Sequence, residues 1–87
     1  MKGRELRAIR LFNQISQIKL AHKLGYSTTD TIRKAEQQEF LPHSYVVAIK
    51  ELVGIDFTNQ KILDEYIQKL PEDIHHKYKA GIFKRFF

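Results

Sequence analysis

The chain has 87 residues, a formal charge of +5 and no cysteine. That length suits one domain with one modest core, which hides only about 60% of the surface of the unfolded chain, and the lack of cysteine excludes a disulfide framework and thiol chemistry. No apolar run approaches the ~20 residues needed to span a bilayer, and Met1-Lys2-Gly3-Arg4-Glu5 lacks the apolar stretch of a secretory signal, so a cytoplasmic protein is expected.

In chain order, a first helix is predicted from about Arg4 to Phe12, with Leu6, Ile9 and Phe12 at helical spacing. The second spans Gln17 to Leu24, with Ser16 as N-cap and Leu20, Ala21 and Leu24 facing inward. Gly25 then supplies the left-handed conformation that commonly ends a helix. After a three-residue turn, Ser27-Thr28-Thr29-Asp30 forms a capping-box pattern with Asp in place of Glu, so a third helix is expected to start there and run to about Gln38. The fourth, His43 to Val53, follows Pro42, is closed by Gly54, and buries some combination of Val46, Val47, Ile49, Leu52 and Val53. A fifth runs roughly from Asn59 to Leu70, with Ile62, Leu63, Tyr66, Ile67 and Leu70 on one face. A sixth begins after Pro71, with Ile74, Tyr78, Ile82 and Phe86 spaced by four. No stretch alternates with period two, and the chain reads as all-α.

Charge is unevenly spread. Residues 1–34 hold eight Lys/Arg against Glu5 and Asp30, a net +6, whereas residues 35–58 hold Lys50 against four acids, a net −3. An excess concentrated at one end is what a polyanion-binding face would produce. The third helix lies in that basic stretch and offers only Ile32 and Ala35 to a core. Advancing ~100° per residue from Ile32 places Asp30, Arg33, Lys34 and Gln37 on the opposite side. Arg pairs with guanine, Gln with adenine and Asp with cytosine, and the methyls of Thr28 and Thr29 suit thymine. A solvated amphipathic helix would show the same pattern, so the face alone leaves both readings open.

The ordered set Ser16-Gln17-Ile18-Lys19-Leu20-Ala21-His22-Lys23-Leu24-Gly25-Tyr26-Ser27, then Ile32, Ala35-Glu36 and Pro42, resembles the phage repressor and Cro helix-turn-helix family. The likeness covers about residues 4–56. It implies a five-helix, repressor-like DNA-binding domain with a C-terminal helical extension: a helix-turn-helix core over 1–56, and helices over 57–87 that complete the core, form a dimer interface, or both. It further implies that Gln17 contacts the DNA backbone or a base, and that Thr28, Thr29 and Lys34 lie on the reading face. In the same way it implies that Arg10 and Glu36 tie the first helix to the reading helix. The segment Leu41–Tyr45 would offer free backbone N–H groups to a phosphate, which makes Pro42, His43, Ser44 and Tyr45, with Lys19, phosphate-contact candidates.

Three features depart from the family pattern. One residue too many lies between Ser27 and Ile32, which leaves the register of Thr28, Thr29 and Asp30 open by one. Gln38 stands where a glycine normally follows the reading helix, so that helix runs a turn longer or ends without a left-handed cap. Ile18 is also more apolar than the family's usual residue, which fits either surface tolerance or a subunit contact.

The stripe Ile74, Tyr78, Ile82 and Phe86 either completes the monomer or pairs two copies, since palindromic operators demand two-fold partners. A membrane-surface helix is a third reading of its basic and aromatic mix, and it is not adopted. Catalysis finds no support. His22, His43, His75 and His76 lack metal-ligand spacing, no phosphate-cradling glycine loop occurs, and Ser16, Ser27 and Ser44 suit caps or turns. The expectation is a non-enzymatic homodimeric regulator of transcription that reads duplex DNA and needs no cofactor or metal. The alternative is a protein-interaction module on the same scaffold, an antitoxin or anti-repressor, holding a protein partner through the C-terminal helix.

Overall fold

The computed structural model describes residues 1–74, so the expectations placed on Tyr78, Ile82 and Phe86 lie outside the described residues. Five helices follow in order: α1 (Gly3–Phe12), α2 (Gln17–Lys23), α3 (Asp30–Ala35), α4 (His43–Val53) and α5 (Gln60–Gln68). A last helical stretch covers 72–74, and no strand occurs among the described residues. No helix there is long and apolar enough to cross a membrane.

Local chemistry sets most of the ends. The Glu5 carboxylate accepts the Lys2 N–H at 2.8 Å and closes the start of α1. The other end of α1 wraps around Gln14, whose φ is +57°. There the Ile15 N–H donates to the Arg10 carbonyl at 2.9 Å and the Gln14 N–H to that of Leu11 at 3.1 Å, the paired bonds of a Schellman ending. Ser16 Oγ accepts the Lys19 N–H at 3.0 Å and starts α2. The end of α2 repeats the Schellman pattern, with Gly25 at φ +91° and the Tyr26 N–H donating to Ala21 at 2.8 Å. Asn59 Oδ1 caps α5 by accepting from Lys61 and Ile62.

The third helix differs from expectation. It spans six residues, Asp30–Ala35, and the capping box at Ser27 does not form. Thr29 is the residue before the helix and its side chain makes no cap bond. The connection from α2 is therefore residues 24–29 and not a three-residue turn. A helix this short is held by burial and not by its own hydrogen bonds, and Ile32 and Ala35 bury only that single stretch. The C-terminal end is pulled elsewhere. The carbonyl of Gln38 accepts the Gly3 N–H at 2.9 Å, and the Leu41 N–H donates to Met1 at 3.0 Å. A Cβ at Gly3 would collide with the Ala35 carbonyl and lie 2.8 Å from that of Gln38, so glycine is what lets the chain start press against this loop. Of the two outcomes open for Gln38, the helix ends without a left-handed cap.

The main core gathers Leu6, Ile9, Ile15, Leu20, Ala21, Ile32, Ala35, Tyr45, Val46, Ala48, Ile49, Phe57 and Leu63. A smaller cluster joins Ala8, Leu70 and Ile74. α1 serves both, with Leu6 and Ile9 on one side and Ala8 on the other. Tyr66 knits the two, with ring contacts to Phe57 at 5.0 Å and Phe12 at 6.1 Å and its hydroxyl accepting from Asn13 Nδ2 at 3.0 Å. In α4 the inward face is Tyr45, Val46, Ala48 and Ile49. Val47, expected among the buried candidates, is exposed, because two residues of helix turn it by ~200° from Tyr45. Ile62 likewise falls at the outer edge of the α5 stripe.

Candidate nucleic-acid interface

The site is built on α2 and α3, which pack against each other through Leu20 and Ala21 on one side and Ile32 and Ala35 on the other. With those two side chains of α3 buried and Thr31 half-buried, its other residues face out. Asp30, Arg33 and Lys34 are exposed, as are Thr28 just before the helix and Gln37 just after it, while Thr29 is half-buried. Six of the sequence-derived base-reading candidates thus fall within one short stretch. Lys34 makes no ion pair among the described residues, whereas Arg33 Nη2 is held 2.5 Å from Asp30 Oδ1.

Behind this face lies a buried charge cluster. Arg10 of α1 and Glu36, just past α3, are 7% and 8% exposed. Arg10 Nε donates to Glu36 Oε2 at 2.6 Å, and Nη2 lies 3.4 Å from Oε1. Arg10 Nη1 donates to the Ile15 carbonyl at 2.9 Å. Glu36 also accepts from Gln17 Nε2 at 3.2 Å, and Arg7 Nε stands 3.9 Å away. One carboxylate therefore joins the end of α3 to α1 and to the first residue of α2. Leaving water is tolerable for this pair because each group is multiply hydrogen-bonded, and among the described residues no buried side-chain polar atom is unpartnered.

The phosphate candidates divide. Gln17 is half-buried and has committed one amide N–H to Glu36. Lys19 is exposed, although its backbone N–H is spent on Ser16. At the start of α4, Pro42, His43 and Ser44 are exposed. Pro42 has no N–H to offer, and Tyr45 departs from its assignment: its side chain is core, 5% exposed, and its N–H donates to the Pro42 carbonyl at 3.1 Å. The available amides of that turn are those of His43 and Ser44. Burial, with a smaller contribution from nearby Tyr26, holds the Tyr45 hydroxyl above its ordinary pKa. Ile74 is packed inside the monomer against Ala8 and Leu70, which removes it from any free apolar stripe. Ile18 is partly exposed on α2.

Sequence reasoning missed three participants. Arg7 could have been found as a second cation one turn from Arg10. The Ile15 carbonyl and the Gly3 contact carried no signal, since both depend on how the chain folds back. No group of three or more His, Asp or Glu among the described residues could hold a metal. Chemically, the face offers guanidinium, ammonium, amide, hydroxyl and carboxylate groups to a ligand lying across α3. Comparison with protein-family models, curated proteins and solved structures finds no match to this chain.

Proposed function

We propose that the protein is a sequence-specific, duplex-DNA-binding regulator of transcription in the cytoplasm, of the repressor and Cro type, with α2 and α3 as its helix-turn-helix. The observation that carries this reading is the anchoring of α3. A buried Arg10–Glu36 pair and two buried apolar residues hold a six-residue helix whose outward groups are those that pair with base edges and phosphates. The net +6 of residues 1–34 supports the same partner.

In this reading α3 enters the major groove. Arg33, Lys34 and Gln37 face base edges with Thr28, while Lys19, Gln17 and the His43 and Ser44 amides set register on phosphates. Two copies would bind half-sites about one helical turn, ~34 Å, apart.

The test is selection from a random-sequence duplex pool, followed by anisotropy titration at several salt concentrations. A partly palindromic enriched site, with affinity falling steeply as salt rises, is the expected result. Arg33→Ala with Lys34→Ala should then weaken binding to that site about tenfold or more. Weak binding with no enriched sequence would overturn the reading and favour a protein partner.

A further inference from the structure

Among the described residues, the pair on the outward face of α3 differs from those that join two helices, and only Lys50 of α4 with Asp56 of the following loop, at 3.8 Å, is comparably local and exposed. Lys23 with Glu51 joins α2 to α4 at 2.7 Å, and Arg10 with Glu36 joins α1 to the end of α3. Asp30 and Arg33 share one helix of six residues and tie no two elements together. Both side chains are largely exposed, and the bridge is confined to Arg33 Nη2 and Asp30 Oδ1 at 2.5 Å. Its consequence falls on where the Arg33 head can go.

A guanidinium has five N–H donors, and this bridge occupies one. Arg33 can therefore stay on Asp30 and still present a fork to guanine O6 and N7. A head already held in place gives up less freedom on binding. Against unrelated DNA the balance differs. There the gain for Arg33 is a swing to the nearest phosphate, which breaks the bridge and brings the Asp30 carboxylate, unpaired, towards a like charge. We propose that Asp30 is a positioning and specificity residue, holding Arg33 for base recognition and keeping it off the phosphate backbone. This replaces direct base reading by Asp30 itself, and it rests on the DNA-reading function proposed above.

The experiment begins with the duplex enriched by the full-length wild-type protein. Its Kd and that of an unrelated duplex of equal length are compared over a salt series for wild type, D30N, R33A and D30N/R33A, with circular dichroism confirming that each is folded. D30N is expected to bind the unrelated duplex about two- to fivefold more tightly, with a salt slope steeper by about 0.9, one added phosphate contact. The preference for the enriched duplex falls by more than that factor, because the enriched duplex also loses an Arg33 head already held in place. In the R33A background, D30N leaves that preference unchanged, because the residue it acts through is gone.

An equal gain on both duplexes in both backgrounds would mean simple relief of charge repulsion and would overturn the proposal. A preference lost on D30N even with R33A would mean that Asp30 reads a base itself, and would overturn it as well. Wild-type protein with a clear site and an indifferent D30N sinks this inference and leaves the DNA-reading function standing. Wild-type protein with no enriched site sinks both.

Discussion

Glu36 is the residue on which the candidate site depends most. Its two carboxylate oxygens serve Arg10 and Gln17, with Arg7 nearby, so three separate points of the chain meet at one buried charge. Removing one member of such a pair strands the other without water, which typically costs 3–5 kcal/mol, about as much as breaking any single contact in a small domain can. Glu36→Gln is expected to lower unfolding stability by about 3 kcal/mol in urea titrations, and Arg10→Met by a comparable amount. Replacing both together, Arg10→Met with Glu36→Leu, should cost much less than the sum, because no charge remains buried. That double variant separates stability from function. If the pair orients α3, and the proposed DNA-reading function holds, the protein folds yet loses affinity for the duplex enriched by the wild type. Single variants that each cost under about 1 kcal/mol would show that water reaches this cluster.

At the level of elements, α1 and α2 end in the same backbone motif with different residues at the left-handed position. Gly25 adopts φ +91° without penalty, whereas Gln14 at φ +57° carries a Cβ into a region that costs L-residues roughly 1–2 kcal/mol. Gln14→Gly should therefore stabilise the fold by about 0.5–1 kcal/mol after the added freedom of the unfolded chain is counted, seen as a higher urea midpoint with an unchanged slope. A lower midpoint would mean that the Gln14 side chain contributes something its exposure does not suggest. Gln14 also marks what was illegible in the sequence. Ser16, Gly25, Pro42, Gly54 and Asn59 announce their helix ends through local chemistry, and the ends of α2, α4 and α5 fall within a residue or two of where those signals put them. Ser27-Thr28-Thr29-Asp30 gave an equally good local signal, yet the helix starts at Asp30. A capping pattern can only start a helix that something else holds, and no apolar residue at 28 or 29 buries the missing turn.

Across the whole molecule, the outward face of α3 was legible because exposure follows from its two buried residues, Ile32 and Ala35. The apparatus behind it was only partly so: Arg10 and Glu36 came from family resemblance, while the Ile15 carbonyl and Gly3 needed the fold. The same fold sets how stability should respond to pH, through two groups that shift in opposite directions. Asp56 accepts hydrogen bonds from the Thr58 hydroxyl and N–H, with Lys50 and His43 adding smaller attraction, and these hold its carboxyl below the ordinary 3.8. A carboxylate so favoured adds stability above that value, which is lost as pH falls through its lower folded pKa. Tyr45 shifts the other way. Burial, and to a lesser degree Tyr26, raises its hydroxyl above 10.0, so the unfolded chain ionises first as pH climbs, and stability drains away above about pH 10. Neither group contributes a slope between these limits. Urea midpoints measured from pH 2 to 11 should therefore fall at both ends, with Tyr45→Phe flattening the alkaline limb and Asp56→Asn shallowing the acid one. An alkaline limb that survives Tyr45→Phe would place the responsible group elsewhere, and would mean that the Tyr45 hydroxyl reaches water despite the packing of its ring.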